Sequence, residues 1–381
     1  MRILVNCSTL SATGVTQVAT SFIHECLEFP ENSYDILLSK TLSKEINTEL
    51  FPDNFAFHLI KNHPLYGFSG FSTRSRIKKL ERQIKPDIVF SVFGPSWWTP
   101  KAPHLMGFAY PYIVYPESPY FSRINQFEKI KTKLKKLIHV TFLKRNANYF
   151  VSETDNVAVR ISDILGIPKE NSFVATNTCS SLFYEEIKEE TKILESQKQN
   201  EFRFLSLCSL SAHKNLEILN KLVPLIKGLN SDLQIKFILT VDPDLFEKSF
   251  SDLAKKSIIN LGRIEVSKCP QIYRECDALF LPTLLECSTA NYPEAMKMGK
   301  PIITSDLAFA TEVCGDAALY FNPLDPPAIL RIIKLITESK SIRSSLVRRG
   351  KKRLDHFLTA SERAEKYLEI CEEIINKETD S

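Results

Sequence analysis

Short runs of apolar residues recur along this chain, each followed by a longer stretch with helical periodicity. In the first half the runs are "RILVNCS", "YDILLS", "PDIVFSVFG", "HLMGFAY" and "NYFVSE"; after residue 200 they are "FRFLSLCS", "IKFILTV", "SIINLGR", "ALFLPTL" and "PIITSD". Strands apolar on both faces, separated by helices, form parallel sheets with crossover connections. A pattern that restarts midway predicts two α/β domains. Between the two sets lies Glu185–Glu201, "EEIKEETKILESQKQNE", charged and poor in aromatics, as a linker or surface helix should be. The expected organisation is a first domain over 1–182, a linker over 183–200, a second domain over 201–358, and a returning helix over 359–381.

That last helix reads "TASERAEKYLEICEEII". Thr359 and Glu362 have capping-box spacing, and Ala364, Tyr367, Leu368 and Ile370 share one face for burial. A second amphipathic pattern, "RINQFEKIKTKLKKLIHVTFLKR" from Arg123 to Arg145, sets Phe127, Ile130, Leu134 and Leu137 on one face with Lys129, Lys131, Lys135 and Lys136 around the rest. Such a helix either lies on an anionic membrane or turns its stripe to the core with solvated lysines outside. The aromatic residues of "FGPSWWTP" and "FAYPYIVYPESPYF" suit sugar stacking, lipid contact or plain core equally.

Length and composition support this organisation, since 381 residues, 44% hydrophobic and 25% charged, suffice for two buried cores. A net charge of +4 is too small to mark a nucleic-acid binder. The nine cysteines include no CxxC pair and no zinc-like spacing, which predicts reduced thiols and a cytoplasmic protein. The opening "MRILVNCSTL" turns polar too soon for a signal peptide, and no run of ~18 apolar residues could span a bilayer, so a soluble or peripheral protein is expected.

Candidate chemistry gathers where strands end. In open parallel sheets ligands bind beyond the carboxyl ends of the strands, where unpaired N–H groups attract anions. After "ALFLPTL", Glu286 stands in a loop, Ser288, Thr289 and Ala290 leave the backbone open, and Glu294 lies about a turn into a helix stopped by Gly299. Carboxylates accept from sugar hydroxyls, and a diphosphate fits the helix start between them. In "FLSLCSLSAHKNLEIL", Lys214 follows the first strand of the second domain and suits a phosphate. Asp242 in "VDPD" and Asp325 in "LDPP" read as helix N-caps with proline at the first helical position, and no metal site is expected.

The run from Ser257 to Pro326, with its E-x7-E pair and "EAMKMGKPIITSD", resembles the donor domain of the retaining glycosyltransferases of family 4, which have the GT-B fold. The resemblance extends through "SAHKN" and, more weakly, through "NSFVATNTCSSLF" to "TGVTQVA". It implies an acceptor-binding first domain, a donor-binding second domain and a last helix crossing back to the first. It further implies that Glu286 contacts the donor sugar, Glu294 the ribose, Lys214 the diphosphate, the Gly262–Arg263 backbone the base, and the Thr289 and Ala290 amides the phosphate. Gly14 would let the first domain approach the donor. The implied reaction moves a sugar, with retention, from a nucleotide to a hydroxyl of a glycan or lipid-linked glycan in surface-polysaccharide synthesis, with no metal or cofactor.

Two positions depart from the family pattern. Ser209 replaces a common arginine, leaving the diphosphate to Lys214 alone or with His213, and Ala109, Tyr110 and Pro111 stand where many relatives have a histidine. His104 is read as an ordinary strand residue. The alternatives are a nucleotide-sugar hydrolase or epimerase of the same fold, or a donor-binding scaffold, which the Ser209 departure favours.

Overall fold

The computed structural model describes residues 1–11, 13–185, 192–228 and 232–380. The chain divides into two compact units, one of 1–114, 126–176 and 358–381, the other of 115–125 and 177–357. Residues 186–191 of the expected linker lie outside the described residues. The segment from Tyr115 to Asn125, which the sequence reading placed with the first domain, groups with the second unit. Ser118 shows why: its buried hydroxyl donates to the Leu284 carbonyl at 2.6 Å.

The first unit is built on a parallel sheet of seven strands, β1 Arg2–Cys7, β2 Ser33–Ser39, β3 Phe55–Ile60, β4 Ile88–Ser91, β5 His104–Gly107, β6 Tyr149–Ser152 and β7 Ser172–Val174. Their order is β3-β2-β1-β4-β5-β6-β7. The sequence runs predict five of these; β3 and β7 are the two edge strands, and both lack a continuous apolar run because neither is covered on both faces. The closing helix, Ala360–Thr379, packs on this unit as its pattern requires. Its capping box forms, with the Thr359 hydroxyl accepting from the Glu362 amide and the Glu362 carboxylate from the Thr359 amide. Ala364, Tyr367, Leu368 and Ile370 are buried, and Tyr367 meets Phe22 and Phe90 ring to edge and tilted, at 5.5 and 5.0 Å.

The second unit carries six parallel strands, β8 Glu201–Ser206, β9 Gln234–Leu239, β10 Ile258–Asn260, β11 Ala278–Leu281, β12 Ile302–Ser305 and β13 Ala318–Phe321, in the order β10-β9-β8-β11-β12-β13. The chain leaves β8 toward one edge and, from β11, returns toward the other. The switch point between β8 and β11 therefore holds the loops that follow these two strands side by side.

Candidate active site

The loop after β8 carries Lys214 and the loop after β11 carries Glu286, and the switch point brings them together: the Lys214 ammonium donates to Glu286 Oε1. Both side chains are largely buried, at 12% and 17% exposure. Burial alone would lower the lysine pKa, but the charge of Glu286 outweighs it and the net direction is up. The lysine is thus held as a cation. Glu286 Oε2 is buried with no hydrogen-bond partner. A buried carboxylate oxygen left without a donor costs free energy, about 1–3 kcal/mol or more, that a ligand hydroxyl would recover.

The backbone holds Lys214 by a device absent from the sequence reading. A short turn, Ala212–Lys214, ends on Asn215 in the left-handed region at φ 55°, a conformation asparagine tolerates. The Asn215 amide donates to the Pro282 and Pro323 carbonyls at 3.2 and 2.9 Å, buried, and the Leu284 amide donates to the His213 carbonyl at 2.7 Å. The two loops are therefore stitched to each other by backbone and side chain. His213 itself is pushed down to about 4, by burial first and by the neighbouring Lys214 second. Burial and the Lys214 charge both favour its neutral ring beside the lysine. Ser209 lies exposed on the same loop.

After Glu286 the half-buried Ser288, Thr289 and Ala290 lead into the helix Asn291–Lys297. The Thr289 hydroxyl accepts weakly from the Asn291 amide at 3.4 Å, and the Asn291 side chain donates to the Leu207 carbonyl at 3.0 Å, tying the helix to the β8 loop. Gly299, at φ 63°, ends it, with Gly299 and Lys300 amides donating back to Met296 and Ala295. Glu294 is the fourth residue of this helix. Its Oε2 accepts from the Tyr273 hydroxyl at 2.9 Å, and burial, only partly opposed by that bond, pushes its carboxyl up to about 7. Tyr273 is 1% exposed and sits on the helix before β11, where the sequence offers only a core aromatic.

Gly262 and Arg263 stand apart, beyond edge strand β10. Gly262 turns at φ 68°, and Asn260 beneath it bonds both the amide and the carbonyl of Val241, joining the β9 and β10 loops. The Arg263 side chain is exposed, 3.7 Å from Asp242. Asp242 and Asp325 accept from the Asp244 and Ala328 amides, each capping a helix with proline at its first position. Gly14 belongs to the first unit, exposed at the start of the helix Thr13–Glu25 with open space around its α-carbon.

His104 is a satisfied strand residue. Its Nδ1 lies 2.6 Å from the Asn146 carbonyl and must donate, which leaves Nε2 to accept from the Ser91 hydroxyl at 2.9 Å; burial pushes its pKa down to about 4. Of the aromatic stretches, Trp97 and Trp98 are core, at 5% and 2% exposure.

Residues 201–338, the β8-to-β13 domain that holds this pair, match a family model. It is that of Glycosyl transferases group 1. The group 1 match thus contains Lys214, Glu286 and Glu294 but stops short of the first unit. No curated protein matches the chain by sequence. Among solved structures, a glycosyltransferase from Rickettsia africae is similar with a TM-score of 0.72 at 15% identity, covering 98% of both chains. Anabaena HepE, solved in complex with UDP-glucose, is similar at 0.67 and 13% identity, covering 100% of both. WaaG, a glycosyltransferase involved in lipopolysaccharide biosynthesis, is similar at 0.71 and 12%, covering 97% of this chain and 99% of that one. At these identities the likeness speaks for the fold, which is GT-B: two Rossmann-like parallel-sheet domains, with no helix among the described residues long and apolar enough to cross a membrane.

Proposed function

We propose that this chain is a retaining, metal-independent glycosyltransferase that moves a sugar from a nucleotide to a hydroxyl of a glycan, free or lipid-linked, in surface-polysaccharide synthesis at the inner face of a membrane. The observation that carries the donor half is the buried Lys214–Glu286 pair with its unpartnered Glu286 Oε2. A nucleotide sugar supplies what this pair lacks: hydroxyls to donate to the free oxygen and a diphosphate for the ammonium, which a charged lysine in a poorly hydrated loop holds strongly. The group 1 match over the same residues and the UDP-glucose complex of Anabaena HepE support this choice of donor. WaaG's involvement in lipopolysaccharide synthesis supports the acceptor class.

In the proposed reaction the bond between the anomeric carbon and the diphosphate breaks while the acceptor oxygen bonds the same face of that carbon. The acceptor's proton passes to the departing phosphate oxygen, so no protein base is required. Lys214 meets the charge that develops on the diphosphate, helped by backbone N–H groups at Thr289 and Ala290. Glu286 fixes the sugar, and Glu294, ionised on binding, accepts from the ribose. Gly262 and Arg263 would border the base, and Gly14 the phosphates from the first domain.

A thermal-shift panel of nucleoside diphosphates and nucleotide sugars tests the donor class, since a ligand at a hundred times its Kd adds about 2.7 kcal/mol of stability. Products analysed with and without a glycan acceptor then separate transfer from hydrolysis or epimerisation. A protein that binds the donor and never turns it over would be the scaffold that Ser209 favours.

A further inference from the structure

The helix Gln126–Asn146 faces the wrong way for a soluble protein. Its apolar stripe, Phe127, Ile130, Leu134 and Leu137, points to water, with Phe127 at 72% and Leu137 at 64% exposure. What it buries instead is His139, Leu143 and Asn146 on the opposite side. At 100° per residue these two sets lie about half a turn apart, the stripe on the first three turns and the buried set on the last two. The core reading of the stripe is thereby excluded. A contiguous apolar strip exposed on a folded domain marks a surface that meets something.

Charge identifies the occupant. The Gln126–Asn146 helix carries six lysines and one arginine against a single acid, Glu128. Helix geometry sets Lys131 on one flank of the stripe and Lys133 and Lys144 on the other, all exposed, while Arg145 extends its line. Lys131 forms an exposed ion pair with Glu128 at 3.5 Å, and Lys135 and Lys136 meet the Tyr112 ring at 5.1 Å and the Ile113 carbonyl at 2.8 Å. A second copy docked by the same face would set this charge against itself. An apolar stripe bordered by cations fits a surface with an apolar interior and an anionic rim.

We propose that the stripe of the Gln126–Asn146 helix docks this protein on an anionic lipid bilayer, the helix lying in the headgroup plane with its apolar residues among the acyl chains. The docking stands on the exposed surface alone; only its consequence, that the acceptor hydroxyl is presented at a lipid surface, rests on the transferase reading.

The test is cosedimentation of the full chain with phosphatidylglycerol vesicles and with phosphatidylcholine vesicles, over a range of salt. The wild type should bind the anionic vesicles and release as salt rises, and bind the zwitterionic ones at least tenfold more weakly. The variant F127Q/I130Q/L134Q/L137Q changes only water-facing side chains and should lose vesicle binding at every salt concentration. K131Q/K133Q/K144Q should lose binding at low salt and flatten the salt dependence. Nucleotide affinity in calorimetry should be unchanged in both, which separates failure of docking from failure of the donor reading. Wild type that ignores anionic vesicles, or a stripe variant that binds them equally, overturns the proposal. So does a wild type that is dimeric by sedimentation velocity, binds no vesicles and becomes monomeric when the stripe is replaced, because the face would then be self-association.

Discussion

Glu294 offers a signature that a merely structural carboxylate would lack. Its pKa is pushed from 4.5 to about 7, chiefly by burial, so between those values the folded protein keeps a proton that the unfolded chain has released. Stability from this group is therefore full below pH 4.5 and is lost as pH rises through 7. At ~1.4 kcal/mol per unit the loss would be somewhat above 3 kcal/mol, and about 2 once the residue's partial exposure is allowed for. A ribose diol needs the ionised form as acceptor, so binding must expel that proton. Affinity for a nucleotide sugar, whose diphosphate diester does not titrate here, should rise roughly tenfold per pH unit up to about 7 and level off above it. Calorimetry in buffers of different ionisation enthalpy reads both the slope and the released proton. Glu294→Gln should abolish both and bind weakly throughout, a loss of about 1.5–3 kcal/mol for charge-assisted hydrogen bonds. Tyr273→Phe removes a bond that lowers the Glu294 pKa and should move the midpoint upward. A wild-type affinity flat across this range, or a slope that persists in Glu294→Gln, would refute the assignment.

Lys214→Ala should lower kcat by about 100-fold or more with a smaller change in donor affinity, since in the proposed reaction the lysine acts on the leaving diphosphate; a raised KM alone would make it a ground-state contact. The same substitution strands Glu286 in a buried site and should cost about 3–5 kcal/mol of stability, read as a lowered midpoint of denaturation. Activity should survive EDTA if, as proposed, Lys214 and backbone donors alone meet the diphosphate; complete loss restored by magnesium or manganese would contradict this.

The fold and the residues that meet after β8 and β11 are legible in the sequence to different depths. Continuous apolar runs declare strands covered on both faces, so the central strands are readable and the edges β3 and β7 are not. Lys214, Glu286 and Glu294 follow from their places after strands and before a glycine-stopped helix. Tyr273, Asn215, Asn291 and Ser118, which hold that arrangement together, do so through contacts between loops distant in the chain, and no local pattern marks them. The Gln126–Asn146 helix is the converse case. Its periodicity is plain in the sequence, but periodicity gives a face and not its direction, and only the burial of His139 and Leu143 shows that the apolar stripe looks outward.

The central claim, that Glu286 receives the sugar of a nucleotide donor beside Lys214, is tested most directly by comparing a nucleotide sugar with its parent nucleoside diphosphate on wild type and Glu286→Gln in calorimetry. The account predicts that the sugar adds affinity in the wild type, through hydroxyls donated to the unpartnered Oε2. It predicts that this increment disappears in the variant while diphosphate affinity is largely kept. An equal sugar increment in both proteins, or a wild type that binds no nucleotide sugar of a broad panel, would contradict it.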